Sequence, residues 1–599
     1  MLAARAQYEA LLAIYADHLQ ATLELGQVLV ELKQPNAASI LFQGAIARHP
    51  TDPSLRLALG VALMEMGEPR PATAVFLKAS RLAPERLSPR IMLAKSLMAC
   101  SRHAEALSVM QQTSEIFAET AEVWALRGAA ERSLHDNAAA EISYRRQLEL
   151  EPNDFNALNN LGVALRALGR MGDAVSLYQQ ALVSSPNSSL VHANLGNALD
   201  ALGKANEAER HLRAAVKLDP SSIDARYNLG AHLVREEKPE EAIAHLRYVV
   251  GVAPQRWDAW TNLGVALVAM GEMIEPEKCY RTAIQLRPST PEPHYNLAWL
   301  LLLTGRWREG WNEYEWRWQL PQFSSRPYCG AAPKWDGSSQ PNATILLICE
   351  QGLGDSIQFV RFAALVRKRC AHVIVECPKS LMQIFRGVAG IDETFPHEGT
   401  RPHHDFYAPL LSVPGLLGIT PEVLSAGSAY LNAPREEANH LRIPNSGRPK
   451  IGFVWAGSPD NKIDRRRSCD VDHFEKLFQG LDVELVSLQT GPRAHDLAPK
   501  RISYQIDGLV TDWAQTASVV RQLDLVIGVD TAVMHLAGAL GTPAWLLIPA
   551  SPDFRWLLER ADTPWYSSIS LFRQRVRGDW TGLFKDLRSA LTIWLQNRA

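Results

Sequence analysis

The spacing of apolar positions divides the chain into two halves with different periods. Through the first half, Leu-Gly pairs recur at Leu25-Gly26, Leu59-Gly60, Leu161-Gly162, Leu195-Gly196, Leu229-Gly230 and Leu263-Gly264, every interval being 34 residues or a multiple of it. Gly128, with Ala94 and Ala298 in glycine's place, occupies the missing slots, so nine registers run without insertion. Twelve residues after the glycine comes a small residue (Ala38, Ala72, Ala140, Ala174, Ala208, Ala242), followed by a large one such as Phe42, Phe76, Tyr144 or Tyr178. A proline closes the unit at Pro50, Pro84, Pro152, Pro186, Pro220, Pro254 and Pro288. That pattern predicts two short helices per unit: small residues allow close approach, large ones fill the space beside them, and proline stops the second helix.

This spacing resembles the tetratricopeptide repeat family over about residues 9–320, with weak points at the Ala94 unit and at Pro276, where other units carry alanine. One such unit cannot bury its own apolar face, so the resemblance implies an all-α superhelix of about nine units over 1–320 with a concave groove. In the last five units the residue before the Leu-Gly or Leu-Ala pair is asparagine: Asn160, Asn194, Asn228, Asn262 and Asn296. Asparagine is a poor helix former, and one step from the packing leucine it turns away from the inter-helix seam. Amides in one line offer donors and acceptors to an extended peptide backbone, an arrangement similar to the asparagine ladder of the O-GlcNAc transferase family. The alternative is a local hydrogen bond at each site. The aromatic run Trp299, Trp307, Trp311, Tyr314, Trp316 and Trp318 reads as a plug against the next domain, and residues 321–343, rich in Pro, Gly and Ser, read as a linker.

After the linker the period changes. TILLIC, HVIVEC, KIGFVWAG, ELVSLQ, DLVIGV and PAWLLIP are short apolar runs that predict strands, separated by segments of helical periodicity. Alternating strands and helices mean parallel sheets with right-handed crossovers. Two such series, 344–440 and 448–599, predict two Rossmann-like lobes with ligands at the carboxyl ends of the strands.

Composition narrows the field. Lysine and arginine number 62 against 64 acidic residues, a formal net charge of −2, which argues against nucleic acid or an anionic membrane surface as partner. Seven scattered cysteines form no C-x-x-C pair, so neither a disulfide framework nor a zinc knuckle is expected and a reducing cytoplasm fits. Neither a signal peptide nor a membrane span is read from the sequence.

The segments ICEQGLGDSIQFVRF and LDLVIGVDTAVMHLAGALGTPAWLLIP are similar to the first-lobe and second-lobe signatures of heptosyltransferase-like glycosyltransferases. Joined to APKWDG, WAG, RRRS and the repeats, they resemble bacterial repeat-bearing glycosyltransferases, flagellin glycosyltransferases among them. The resemblance implies a GT-B fold with a nucleotide-sugar co-substrate. In the first loop, Gly352 and Gly354 let backbone approach a ligand, and the family's matching aspartate makes Asp355 the expected base for an acceptor hydroxyl, unless it simply caps the helix with Gln358 as capping-box partner. In the second loop, Lys462, Arg465 and Arg467 are placed to stabilise a diphosphate leaving group, or form a solvated basic turn. Repeat-bearing relatives usually show a His and an Asn in this loop; Asn461 and Ile463 stand here instead. Asp470-Val471-Asp472 mimics a metal-binding D-x-D but precedes a helix and reads as capping, so no metal and no other cofactor is expected.

In the third loop, Asp530 and Thr531 precede a helix whose free N–H groups suit phosphate, or are caps, and His535 is either a ligand contact or a core histidine. Gln489 is placed to reach the same cleft. The expected function is transfer of a sugar to Ser or Thr of a protein client, flagellin by resemblance, in the cytoplasm. A glycan-assembly transferase recruited through its repeats, or a non-catalytic scaffold, are the alternatives.

Overall fold

A computed structural model describes residues 1–424, 429–434, 441–458, 464–496 and 502–598, the Arg465 side chain aside. The chain divides into two compact units, Met1–Lys238 and Pro239–Ala599.

In the first unit, from Leu19 onward, helices of 13 and 14 residues alternate, as in Pro53–Glu65 with Pro69–Leu82 and Phe155–Ala167 with Met171–Ser184. The Leu-Gly spacing has a steric cause. A Cβ on Gly26 would stand 1.9 Å from Phe42 Cζ, one on Gly60 2.3 Å from Phe76 Cε1, and one on Gly162 2.6 Å from Tyr178 Cε1. The second helix of each unit therefore presses its large residue into the gap left by glycine on the first. Where Ala94 replaces glycine, the large residue is the flexible Met110, and both are fully buried. The turn inside each unit carries a left-handed residue at the same register: Lys33, Gly67, Ser101, His135, Gly169, Gly203 and Glu237 in this unit, Gly271 and Gly305 in the next. Nine left-handed residues at 34-residue intervals match the nine registers.

The second unit begins with helices Pro239–Val252, Trp257–Ala269, Ile274–Leu286, Pro291–Leu303 and Trp307–Tyr314. Pro276 lies in the first turn of its helix, where no intrahelical N–H bond is lost. Next come a four-stranded and a six-stranded parallel sheet. The first contains β1 (Gln340–Ile348), β2 (Cys370–Cys377), β3 (Glu393–Pro396) and β4 (Phe406–Pro409) in the order β3-β2-β1-β4. The second contains β5 (Lys450–Val454), β6 (Glu484–Ser487), β7 (Tyr504–Gln505), β8 (Leu525–Val529), β9 (Ala544–Ile548) and β10 (Ile569–Arg573) in the order β10-β9-β8-β5-β6-β7. Both sheets reverse direction beside their first strand, and that reversal marks where an open α/β sheet leaves a crevice. The fold is thus a tetratricopeptide array followed by an α/β domain of GT-B type. β3, β4, β7 and β10 are additions to the strands read from sequence.

The segment read as a linker is partly structural. β1 already starts at Gln340, Lys334 bridges Tyr407 of β4, and Trp335 is buried, its Nε1 donating to Ser338 C=O at 2.9 Å. The aromatic plug is present. Trp307 stacks on Trp565 at 4.9 Å, and Trp311 meets Phe359 and Phe554 edge-on, so the last repeat and both lobes share one apolar core. No helix among the described residues is long and apolar enough to cross a membrane.

Candidate functional site

The loops after β1, β5 and β8 lie at the two points where strand order reverses, so the three segments singled out from sequence stand where such sheets bind ligands. The first loop leaves β1 through Glu350 and Gln351. Gln351 adopts φ 61°, a left-handed conformation that costs about 1–2 kcal/mol for a non-glycine residue. Both of its ends are held: its N–H donates to Ser325 Oγ at 2.7 Å and its Nε2 to Tyr314 Oη at 2.8 Å. The loop is thus fixed by the last repeat helix and by the segment after it. Beneath it, Arg317 and Glu350 form a bidentate buried pair at 2.7 and 3.2 Å.

Gly352 caps the helix Leu353–Phe359, and its N–H donates to Asp355 Oδ2 at 2.8 Å. Asp355 at the third helical position thus makes the return half of a capping box to the Gly352 N–H, with Gly352 as the cap and not Gln358 as partner. Its other oxygen, Oδ1, is paired with the Arg555 guanidinium, which comes from the turn after β9 in the second lobe. Arg555 Nε donates to Gln358 Oε1 and its Nη1 to Asp553 Oδ1, both at 2.8 Å. Gly354 has a packing part: a Cβ there would stand 2.9 Å from His535 Cδ2 and 3.4 Å from Ala532 Cα. Its lack of a side chain lets the first-lobe helix meet the second-lobe helix Ala532–Leu540, whereas a Cβ on Gly352 would touch only Asp355. Arg361, over the rings of Tyr430 and Tyr566 at 4.3 and 4.7 Å, adds a second join between the lobes.

Across this junction Asp530 is nearly buried. Its Oδ2 accepts from Trp556 Nε1 at 2.9 Å, and its Oδ1 lies 3.6 Å from His535 Nε2. Burial opposes its charge, but His535, Arg467 and the indole N–H outweigh it and hold the carboxyl below the usual range. Asp553 goes the other way, pushed up by burial and by the Asp530 charge against the pull of Arg555. His535 Nδ1 pairs with Tyr566 Oη at 2.9 Å and its ring stacks on Trp556, so both nitrogens face protein groups. Neither Asp530 nor Thr531 makes a side-chain cap bond to the following helix. Thr531 Oγ1 is buried with no hydrogen-bond partner among the described residues, a hydroxyl left over at a helix N-terminus.

The basic loop is only partly described. Lys462, with Asn461 and Ile463, lies outside the described residues, as does the Arg465 side chain. Arg467 Nε is 3.3 Å from Asp464 Oδ1; Asp464 Oδ2 accepts from Ser468 Oγ at 2.8 Å, and Ser468 Oγ accepts from Gly457 N–H at 3.2 Å. Arg467 still adds its charge to the surroundings of Asp530. Asp470 is a turn cap, accepting from Asp472 N–H at 3.0 Å. Gln489 is spent on structure: its Oε1 accepts from the N–H groups of Trp455 and Ala456 and its Nε2 donates to Thr490 C=O.

Asn160, Asn194, Asn228, Asn262 and Asn296 each occupy the sixth position of a first helix and are partly exposed. Asn194 Nδ2 donates to Asn159 Oδ1 at 2.8 Å, so this amide has a local partner. Tyr295, just before Asn296, borders the site: burial and the nearby Asp553 charge push its phenol up, and its ring stacks on Tyr314 at 5.6 Å. Sequence reasoning missed Arg555, Asp553 and Tyr295, and read Tyr314 only as part of the aromatic plug. The first two stand just beyond β9, where the strand-end rule would have pointed.

Comparison with known proteins places the second lobe. Residues 428–553 match glycosyltransferase family 9 (heptosyltransferase), and tetratricopeptide repeat models match 2–53, 126–189, 165–233, 232–273 and 258–290. The chain therefore carries tetratricopeptide repeats and a heptosyltransferase-like domain of family 9. It is 27% identical over 337 residues to Protein FlbA of Caulobacter vibrioides, covering 51% of this chain and 56% of that one, so it spans about half the length of that relative. Solved structures it resembles include the APC/C hetero-tetramer Cut9–Hcn1 (TM-score 0.37, 22% identity, 44% of this chain and 52% of that one). YrrB, described as a TPR protein with an unusual peptide-binding site, matches with TM-score 0.26 and 22% identity over 31% of this chain and 95% of that one. MamA matches with TM-score 0.25 and 24% identity over 27% and 94%.

Proposed function

We propose that the chain is a glycosyltransferase that moves a sugar from a nucleotide-sugar to a Ser or Thr hydroxyl of a protein client held by the repeats, in the cytoplasm, with flagellin as the client. The observation that carries the reading is the meeting of the two lobe signatures: Asp355 on one lobe pairs with Arg555 on the other, and Gly354 beside it packs against Ala532 and His535 at the start of the helix that Asp530 and Thr531 precede. In the reaction, the acceptor oxygen bonds to the anomeric carbon as the bond from that carbon to the phosphate oxygen breaks. The electron pair leaves with the nucleotide, and the acceptor proton goes to Asp355. The helix N-terminus, Thr531 Oγ1 and Arg467, with Lys462 and Arg465 of the same loop, stabilise the developing negative charge, so the reaction needs no metal.

Client binding is assigned to the asparagine line, supported by its constant register and by Tyr295 standing beside both Asn296 and the carboxylate cluster. The test is intact-mass measurement of a flagellin co-expressed with the parent or with Asp355→Ala. A mass increment of one or more sugars with the parent and none with the variant is expected. An unmodified flagellin with the parent would remove flagellin as client, and equal modification by both would remove Asp355 as the base.

A further inference from the structure

The sequence motifs account for Asp355 but not for what holds it. A carboxylate bonded only to the N–H of its own helix cap is free to pivot about that bond. Here the second oxygen is met by a guanidinium from the opposite lobe, 200 residues further along the chain. Arg555 is itself constrained from three sides. Gln358 takes its Nε–H, Asp553 takes Nη1, and Asp553 also accepts the Arg555 backbone N–H at 3.0 Å, fixing the turn Phe554–Trp556. The guanidinium lies 4.3 Å from the centre of the Phe554 ring and 5.7 Å from that of Phe359, and its side chain is 8% exposed. Phe554 in turn packs on Trp299, Trp311 and Tyr314 of the last repeat. A chain of contacts thus runs from the final repeat, through the turn after β9, to the carboxylate on the first lobe. Each Asp355 oxygen retains a lone pair beyond the one engaged, so an acceptor hydroxyl can still be received.

We propose that Arg555 is a positioning residue for Asp355: it sets the carboxylate from the opposite lobe, so that the group meant to take the acceptor proton is aligned only when the turn after β9 is seated against the last repeat. The proposal rests on the reading of Asp355 as that group.

Two measurements test it on the full chain. The first needs no substrate. Hydrogen exchange at the Gly352 amide, which donates to Asp355, should quicken in Arg555→Ala and return towards the parent in Arg555→Lys, while helices of the first unit exchange as before. An unchanged Gly352 amide in Arg555→Ala would overturn the proposal. The second follows nucleotide release from a panel of ADP-, GDP-, UDP- and CMP-linked sugars with water as acceptor. Arg555→Ala should lower kcat by about tenfold or more with little change in the donor KM, because misplacing a reacting group by about 1 Å costs up to about 10²-fold. Arg555→Lys should recover part of the rate. Added to Asp355→Ala, the same substitution should cost nothing further, since a residue acting through another has no effect once that other is gone. If Arg555→Ala slows the Asp355→Ala enzyme by the same factor as the parent, Arg555 acts on its own and the inference fails. If Asp355→Ala runs at the parent rate, it is the base reading that fails. Should Arg555→Ala not fold, Arg555→Gln carries the same comparisons.

Discussion

Removing the Arg317 guanidinium should unlock the repeats from the loop after β1 at a large cost in stability. Arg317 is fully buried and all five of its N–H donors are engaged: Nε and one Nη2 hydrogen with Glu350, the other with Ser412 Oγ, and the two on Nη1 with Tyr314 C=O and Glu315. In Arg317→Met the Glu350 carboxylate, its side chain 1% exposed, keeps only the Leu411 N–H at 3.1 Å. Stranding one partner of a buried pair costs about 3–5 kcal/mol, against about 0–1 kcal/mol for an exposed pair. Adding Glu350→Gln makes the stranded group neutral and keeps its bond to Leu411. The double variant should then recover much of the loss, the residue being about 1–3 kcal/mol for the groups Arg317 no longer satisfies. Urea titration read by tryptophan fluorescence reports the change, because Trp318 lies against the guanidinium at 4.8 Å. A single variant that loses under about 1 kcal/mol, or a double variant no more stable than the single, would refute the assignment of this pair as the join.

Further outcomes follow from other parts of the molecule. Although burial pushes the Glu315 carboxyl up, the Arg317 and Lys334 charges hold it down to about 2, from an ordinary 4.5. A carboxyl depressed on folding adds stability above its unfolded value and loses it as pH falls towards the folded one, so the stability gap between parent and Glu315→Gln should hold above pH 4.5 and close towards pH 2 in thermal melts. Changing Asn160, Asn228 and Asn296 together to Ala removes backbone contacts of about 0.5–1.5 kcal/mol each, so calorimetric affinity for the client should drop tenfold or more while donor turnover stays level; undiminished affinity would exclude a backbone clamp. His135→Gly, which relieves a left-handed φ of 64°, should raise the melting temperature of the array, and a lowered one would show the side chain to be needed there. Arg467→Ala should weaken ADP, GDP and UDP binding and flatten its salt dependence without any effect of EDTA on turnover; inhibition by EDTA that Mg²⁺ reverses would restore the Asp470–Asp472 pair as a metal site.

The repeats were legible because the distance from glycine to its large partner is set within one helical hairpin, and a local constraint leaves a local signature. The long apolar strands were legible for the same reason. β3 and β4 were not: each is four residues long and ends in proline, so neither shows alternation. Trp335 reads as linker until Tyr407 is known to pair beside it, and Gln489 reads as a cleft residue until the unpaired N–H groups at the end of β5 are in view. The site divides along the same line. Asp355, Asp530 and Thr531 sit in loops whose glycines and flanking strands announce them. Arg555 also follows a strand, β9, but no glycine or motif beside it shows its part, which lies in a partner 200 residues away.

The steric lock between the small residue of a first helix and the large residue of its second closes within each hairpin and asks nothing of the neighbouring one. Duplicating or deleting a 34-residue module upstream therefore needs no compensating change in its neighbours' locks, and array length becomes a quantity that recombination can adjust in single steps. The last module is exempt from that freedom. Trp307 and Trp311 have been drawn into the interior of the following domain, so a break there would cut through a core. Variation in length among descendants of this chain should accordingly accumulate towards the amino terminus, while the module ending at Tyr314 is inherited as part of the α/β half.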